Sequence, residues 1–306
     1  MKILVTGGAG FIGSHVVDAY VELGHEVLIV DDLSTGRPRN LNPKARFHEL
    51  DIRSPEVQAL IVGERPDVIN HHAAQIDVRK SVADPVDDLS RNIAGSVNLI
   101  EAARVASIGK FIYVSSGGAI YGEPEILPCP EDHPIKPLSP YGVSKHTVEH
   151  YLELYAALYG LRYTTLRYAN VYGPRQDPHG EAGVVAIFTD RTLNGEPLTI
   201  YGDGSIERDF VYAGDVKRAN VLALERGDGL AINIGTGVLT SVNEVFEQLR
   251  GATGYTRAPM YAAPKAGDLQ RNSLSIELAA RALGWKPETD FATGIALTVA
   301  AMQATE

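Results

Sequence analysis

Lys2-Ile-Leu-Val-Thr-Gly-Gly-Ala-Gly-Phe-Ile-Gly13 runs from a short apolar stretch straight into a glycine turn. Lys2–Thr6 has the composition of a buried strand, and Ser14 to Gly24 carries helical apolar spacing that stops at a glycine. His25–Val30 is a second strand, ending in Asp31-Asp32. The three pieces form one βαβ unit with Gly8-x-Gly10-x-x-Gly13 in its first turn and an acid 18 residues after Gly13. Gly8 and Gly10 allow a tight turn and close approach to a pyrophosphate, Gly13 lets helix pack on strand, and the helix N-terminus favours an anion. A glycine turn alone is a weak signal. One that follows a strand, opens a helix and is answered by an acid at this distance is a dinucleotide fingerprint. Asp31 is placed for ribose hydroxyls, and Asp31 with Asp32 would repel a 2′-phosphate, which selects NAD over NADP. Asp51-Ile52 follows the third strand, where it can meet the adenine edge. Asp51 equally suits a cap for the helical segment that starts at Ser54.

Outward from this unit, Arg46–Leu50, Val68–His71, Lys110–Ser115 and Arg162–Arg167 are further short apolar strands. The helical segments Ser54–Gly63, Asn92–Ser107 and Tyr141–Tyr159 separate most of them. This alternation predicts an α/β fold, a doubly wound parallel sheet of the Rossmann kind. From about Gly173 the pattern changes to a polar loop, then short strands at Leu198–Gly204 and Glu207–Tyr212, and helices at Ser241–Thr253 and Leu274–Leu283. The expected division is a dinucleotide-binding domain over 1–172 and a smaller α/β substrate lobe over 173–306. Residues 213–236 are expected to return to the main sheet.

The 306 residues suffice for a large core, and 44% hydrophobic with 22% charged residues is ordinary for a globular protein. A net charge of −10 argues against a nucleic-acid or anionic-membrane partner. No apolar run approaches the roughly 20 residues of a membrane span, and Met1 to Thr6 does not have the pattern of a signal peptide. The single Cys129 cannot form an intramolecular disulfide and fits the cytoplasm. No His/Cys/Asp cluster has metal-ligand spacing.

Ser139-Pro-Tyr-Gly-Val-Ser-Lys145 carries the second chemical signal. Tyr141 and Lys145 are spaced to share one helix face, with Pro140 suited to the first turn. An ammonium beside a phenol favours the phenolate and lowers a pKa that is ordinarily about 10. So tuned, a tyrosine can take a proton from a sugar hydroxyl near neutral pH. An ordinary surface Tyr–Lys pair would look the same in isolation.

Taken together the motifs resemble the extended short-chain dehydrogenase/reductases, and within them the nucleotide-sugar 4-epimerases of the UDP-glucose/UDP-galactose type. Thr6-Gly-Gly-x-Gly-x-x-Gly13 opens the match, His71-His-Ala-Ala74 and Asn92 continue it, and Val114-Ser-Ser with Ile120-Tyr-Gly122 precede the tyrosine motif. Arg167-Tyr-Ala-Asn-Val-Tyr-Gly-Pro174, Gly202 to Tyr212 and Gly267-Asp-Leu269 complete it. The resemblance implies bound NAD, held by Gly7, Gly10, Phe11, Ile12, Gly13, Asp31, Asp32, Asp51, Ile52, Ala73, Ala74, Asn92, Tyr141 and Lys145. It implies Tyr141 as base at the sugar 4-hydroxyl, with Lys145 holding the nicotinamide ribose and lowering the tyrosine pKa. It places Asn170 and Arg208 at the diphosphate, Leu198, Ile200 and Tyr201 beside the uracil, and Asp268 at its ribose. A homodimer paired through Asn92–Ser107 and Tyr141–Tyr159 is also implied.

Two departures stand out. The family's catalytic Ser or Thr falls at Gly117, followed by Gly118, so Ser116, one residue earlier, is the expected hydroxyl; otherwise a water or the tyrosine alone does its work. Lys265 stands where an arginine usually clamps the diphosphate, offering charge without the bidentate fork. The segment after Ser116 lacks the acid of related dehydratases, which favours reversible redox chemistry at C4. The expected activity is C4 epimerisation of a UDP-hexose in galactose metabolism. The rivals are a UDP-glucuronate 4-epimerase, a 4-keto reductase, or a silent NAD-sensing protein.

Overall fold

Lys2–Thr6 forms β1, and its side chains are buried on both faces, as a strand in the middle of a parallel sheet requires. The computed structural model describes residues 1–179, 183–264 and 269–304. After β1 come β2 (Glu26–Asp31), β3 (Arg46–Glu49), β4 (Val68–His71), β5 (Lys110–Ser116), β6 (Tyr163–Tyr168) and β7 (Leu230–Ile234). These seven strands make one all-parallel sheet in the order β7-β6-β5-β4-β1-β2-β3. The fold is therefore the doubly wound Rossmann type that the alternation predicted. The strand order reverses between β1 and β4, which opens a crevice at the carboxyl ends of these strands.

Period-two alternation along β1 feeds two cores. Ile3 and Val5 face Val16, Val17 and Tyr20 of the helix Phe11–Glu22 and Val216 and Ala219 of the helix Ala213–Ala223. Leu4 faces the opposite layer, with Val57 and Ile61 of Pro55–Glu64, Leu99 and Ile100 of Gly95–Ala106, and Val148 and Leu152 of Pro140–Tyr159. A third core belongs to the lobe. There Leu198, Ile200 and Phe210 pack with Phe188, Val245, Phe246, Ile295 and Val299 from three helices, Val184–Leu193, Val242–Thr253 and Phe291–Gln303. Among the described residues no helix is long and apolar enough to cross a membrane.

The helix Pro140–Tyr159 is set by both its ends. Ser139 accepts a hydrogen bond from Gly142 N at 3.2 Å, Pro140 occupies the first turn, and Gly160 closes it in the left-handed region. Its inner face also carries Glu149, which grips Arg167 of β6 in a bidentate pair at 2.6 and 3.1 Å. Both are almost fully buried, and Arg167 reaches on to Tyr121 at 2.8 Å. Burial would push the Glu149 carboxyl up, but hydrogen bonds from His146 and Arg167 hold it below its ordinary value. Removing one partner of such a buried pair costs about 3–5 kcal/mol. The pair therefore fastens the helix against the sheet near the carboxyl ends of the strands.

Three segments differ from the sequence reading. Glu207–Tyr212 is not one strand: Glu207–Arg208 pairs with Thr240–Ser241 and Arg271–Asn272, whereas Phe210–Tyr212 pairs with Asn170–Tyr172. Asp209 breaks it, because its buried carboxylate accepts hydrogen bonds from Thr236 N, Gly237 N and Leu274 N. The helix expected over Leu274–Leu283 shrinks to Glu277–Ala282, because Leu274 instead forms a bridge with Cys129. The helix expected over Asn92–Ser107 begins as a π-wound turn at Leu89–Ala94 before Gly95–Ala106 continues it.

Candidate active site

At the end of β1 the chain has little room. Gly7 takes φ +71°, and a Cβ there would lie 2.7 Å from Ala73 N, so only glycine fits. A Cβ on Gly13 would lie 2.2 Å from Gly7 O, which explains the third glycine as a packing requirement. Gly10 precedes the helix Phe11–Glu22 without any side-chain cap, and the first turn carries no acid. Its first N–H groups are thus left for an anionic ligand. Asp31 lies at the end of β2 and accepts from Ala9 N at 3.0 Å and Leu33 N at 2.9 Å. Burial pushes the Asp31 carboxyl up against these two hydrogen bonds, and neighbouring Asp32 pushes the same way. Asp32 itself takes Ser34 N and Oγ and stands 3.8 Å from Arg91. Asp51 does not cap the next helix, since Ser54 does; Asp51 pairs with Arg53 instead. Ile52 packs against the helix at Gly95. Asn92 binds Gln75 N through Oδ1 and Gln75 O through Nδ2, fixing the loop after Ala73-Ala74.

Across the crevice, Tyr141 lies in the first turn of its helix, its N–H donating to Ser81 Oγ at 3.2 Å. Lys145 follows one turn later and donates to Val114 O at 3.0 Å. Its ammonium lies 5.2 Å from the centroid of the Tyr113 ring and 5.9 Å from that of Tyr141. Burial pushes the Tyr141 phenol up to about 12, the Ser116 hydroxyl pulls it down, and Asp88 pushes it up. Burial also lowers Lys145 to about 8, while Asp88 and Glu149 act to raise it. The sequence reading gave Lys145 the work of lowering the Tyr141 pKa. In the structure burial dominates both groups, and Ser116 is the neighbour that pulls the phenol down.

Ser116 ends β5, and Gly117-Gly118 begin a short helical turn, Gly117–Ile120. A Cβ at Gly117 would lie 2.5 Å from Leu274 Cδ1, so a hydroxyl-bearing side chain there would have to displace the Leu274 side chain. A Cβ on Gly118 would make ordinary contacts with Asn170 Oδ1 and Ser116 Oγ, at 3.7 and 3.8 Å. Ser116, Gly118 and Asn170 therefore lie together. Asn272, nearby and buried, donates to Gly117 O at 3.4 Å.

The lobe supplies an open cleft of ≈ 720 Å³ lined by Gly202, Asp203, Ser205, Ile206, Tyr261, Ala262, Pro264 and Gln270. Tyr201 is exposed beside it, while Leu198 and Ile200 are fully buried in the lobe core. Ile200 alternates with Tyr201 along the strand Thr199–Tyr201, and Leu198 just before it turns to the same side as Ile200, so both side chains lie in the lobe core. Arg208 is half-buried and donates to Glu207 O at 2.9 Å. Lys265 and Asp268 lie outside the described residues. Asp88, Ser81, Leu274 and Tyr261 were not singled out from the sequence, since none belongs to a spaced motif.

The model of the NAD dependent epimerase/dehydratase family matches residues 3–235. This chain belongs to that family. It is similar to the UDP-glucose 4-epimerase of Mycolicibacterium smegmatis, with 47% identity over 305 residues, 98% of this chain and 97% of the relative. The Thermotoga maritima UDP-glucose 4-epimerase, solved with UDP-glucose, is 50% identical, with a TM-score of 0.98 over 100% of this chain and 99% of that one. The Thermus thermophilus UDP-glucose 4-epimerase, solved with NAD, is 46% identical, with a TM-score of 0.94 over 100% of both chains. Family membership makes NAD the cofactor, and the residues present fit it: the uncapped helix N-terminus, the Gly7 and Gly13 contacts that exclude side chains, and the Asp31 carboxylate at the end of β2. With Asp31 and Asp32 there, NADP is expected to bind far more weakly than NAD. Competitive titration of the two nucleotides measures this, and comparable affinities would show that the ribose contact has been misplaced.

Proposed function

We propose that the chain interconverts UDP-glucose and UDP-galactose by reversible oxidation and reduction at C4, passing through a 4-keto sugar. The observation that carries this reading is the half-buried Tyr141 over the buried Lys145 and beside Ser116, followed by two glycines where an eliminating enzyme would carry an acid. NAD, when bound, supplies the acceptor and donor of the C4 hydride. Tyr141 takes the proton from the sugar 4-hydroxyl and returns it after the sugar has turned, so the net proton count is zero. Ser116 donates to the Tyr141 phenol oxygen, which offsets the burial that disfavours the phenolate. Lys145, oriented by Val114 O, holds the cofactor ribose.

Turning the sugar requires an anchored diphosphate and free space around the ring. Asn170 and Arg208 take the diphosphate, with Lys265 joining them, and charge-assisted donors suit that task. Asp268 takes the uridine ribose, and the backbone at Leu198–Tyr201 flanks the base. Gly118, without a side chain, keeps the Ser116 side uncrowded, whereas Leu274 occupies the place beside Gly117. In this assignment residues 1–172 with 213–236 bind the dinucleotide and the rest of 173–306 forms the nucleotide-sugar lobe. Incubation with UDP-galactose should yield UDP-glucose with no consumption of added nicotinamide. Failure to convert either sugar into the other, or stoichiometric nicotinamide use, would remove the reading.

A homodimer working in the cytoplasm, in galactose metabolism, completes the proposal. Leu89 and Val105, and Val143, Leu154, Leu158 and Tyr159 of Pro140–Tyr159, are exposed apolar side chains on two helical segments. Pairing these segments about a two-fold axis would bury them in an isologous helical interface. Light scattering at micromolar concentration should give the dimer mass, and a monomer alone would refute the pairing.

A further inference from the structure

Asp88 is a buried carboxylate at the end of the short helix Pro85–Asp88. Its Oδ1 accepts from Gln75 Nε2 at 3.0 Å and Asn92 Nδ2 at 2.9 Å, and its Oδ2 accepts from Ser144 Oγ at 2.6 Å. These three donors are neutral. Among the described residues no cation lies within ion-pair distance of Asp88, although Arg91 of the next turn pairs with Asp87 and Asp32. A buried carboxylate without a counterion is costly unless hydrogen bonds compensate it, and these three donors supply that compensation while leaving its charge unneutralised. Ser144 immediately precedes Lys145, so the carboxylate is held against the turn that carries the tyrosine and the lysine.

The charged and titratable groups around that turn are few. Lys145 is faced by Asp88, by Glu149 on its own helix, by Tyr113 from β5, by His71 at the end of β4 and by His72 just after it. Glu149 is already committed to Arg167, and burial holds both histidines neutral. Asp88 is therefore the one carboxylate of this group that has no cation of its own.

We propose that Asp88 is a positioning residue whose buried negative charge sets the pH range over which the Tyr141–Lys145 pair works. The proposal rests on the epimerase reading of that pair. The sign follows from Coulomb's law: a nearby negative charge disfavours the phenolate of Tyr141 and favours the ammonium of Lys145. Both effects move ionisation to higher pH. Asp88 acts in that direction on each group, against burial on the lysine and with burial on the tyrosine. Neutralising it should move both limbs of the activity profile to lower pH together.

The test is the pH dependence of kcat/KM for UDP-galactose in the native protein and in Asp88→Asn, Asp88→Ser and Ser144→Ala. Native turnover tests the epimerase reading by itself; the comparison among active variants tests Asp88. Asp88→Asn should shift both limbs downward by about one pH unit, the lower end of the range for a nearby charge. Asp88→Ser serves if the asparagine variant does not fold. Ser144→Ala breaks the tether but keeps the charge, so its limbs should stay in place whatever happens to its rate. Reduced activity with unmoved limbs in a folded neutral variant would overturn the proposal, as would Ser144→Ala moving the limbs equally far.

Discussion

A chain of buried hydrogen bonds ties the cofactor turn to the helix of Tyr141, and the site depends on it. Thr6 Oγ1, at the end of β1, meets His71 Nδ1 at 2.7 Å, and His71 Nε2 meets Ser96 Oγ at 2.8 Å. Ser96 donates to Asn92 O at 2.5 Å, Asn92 donates to Asp88, and Asp88 accepts from Ser144. Burial drives the His71 pKa well down, so the ring is neutral. Since Ser96 gives its proton to Asn92, it must accept from His71 Nε2–H. The ring's Nδ1 is then the acceptor for Thr6, whose oxygen in turn accepts from Ala73 N. Every donor and acceptor in the chain is fixed in direction. The strand end that shapes the glycine turn and the helix that carries the base are thereby held in one geometry.

A separate short segment ties the C-terminal lobe to the turn after Ser116. The Arg271–Asn272 strand pairs with Glu207–Arg208, and the next residue, Ser273, receives Cys129 N through its carbonyl. Asn272 reaches Gly117 O, and Leu274 fills the space where a Gly117 side chain would be. One short segment therefore links the arginine proposed for the diphosphate to the loop that follows Ser116.

The βαβ unit, the parallel sheet and the family were legible because they rest on local signals: glycine spacing, apolar runs and a terminal acid. Tyr141 and Lys145 were legible for the same reason, since four residues on a helix are always one turn. What the sequence did not disclose depends on partners far along the chain. The break at Asp209 comes from amides at Thr236, Gly237 and Leu274, and the loss of the first turns of the expected Leu274–Leu283 helix comes from Cys129. Ile200 shares the strand Thr199–Tyr201 with Tyr201, and Leu198 directly precedes it; alternation leaves Tyr201 exposed while Leu198 and Ile200 turn into the core. Spacing reports that Lys145 is a neighbour of Tyr141, but not the burial that pushes the phenol up, which depends on residues far along the chain.

In the proposed reaction Tyr141 moves the proton at the sugar 4-hydroxyl inside a cofactor site built independently of its phenol. Turnover of UDP-galactose by Tyr141→Phe, measured alongside the NAD content of the purified variant, tests it most directly. The account predicts a loss of about 10²-fold or more, in line with general acid–base contributions, with NAD content unchanged. Near-native turnover with NAD in place would contradict it.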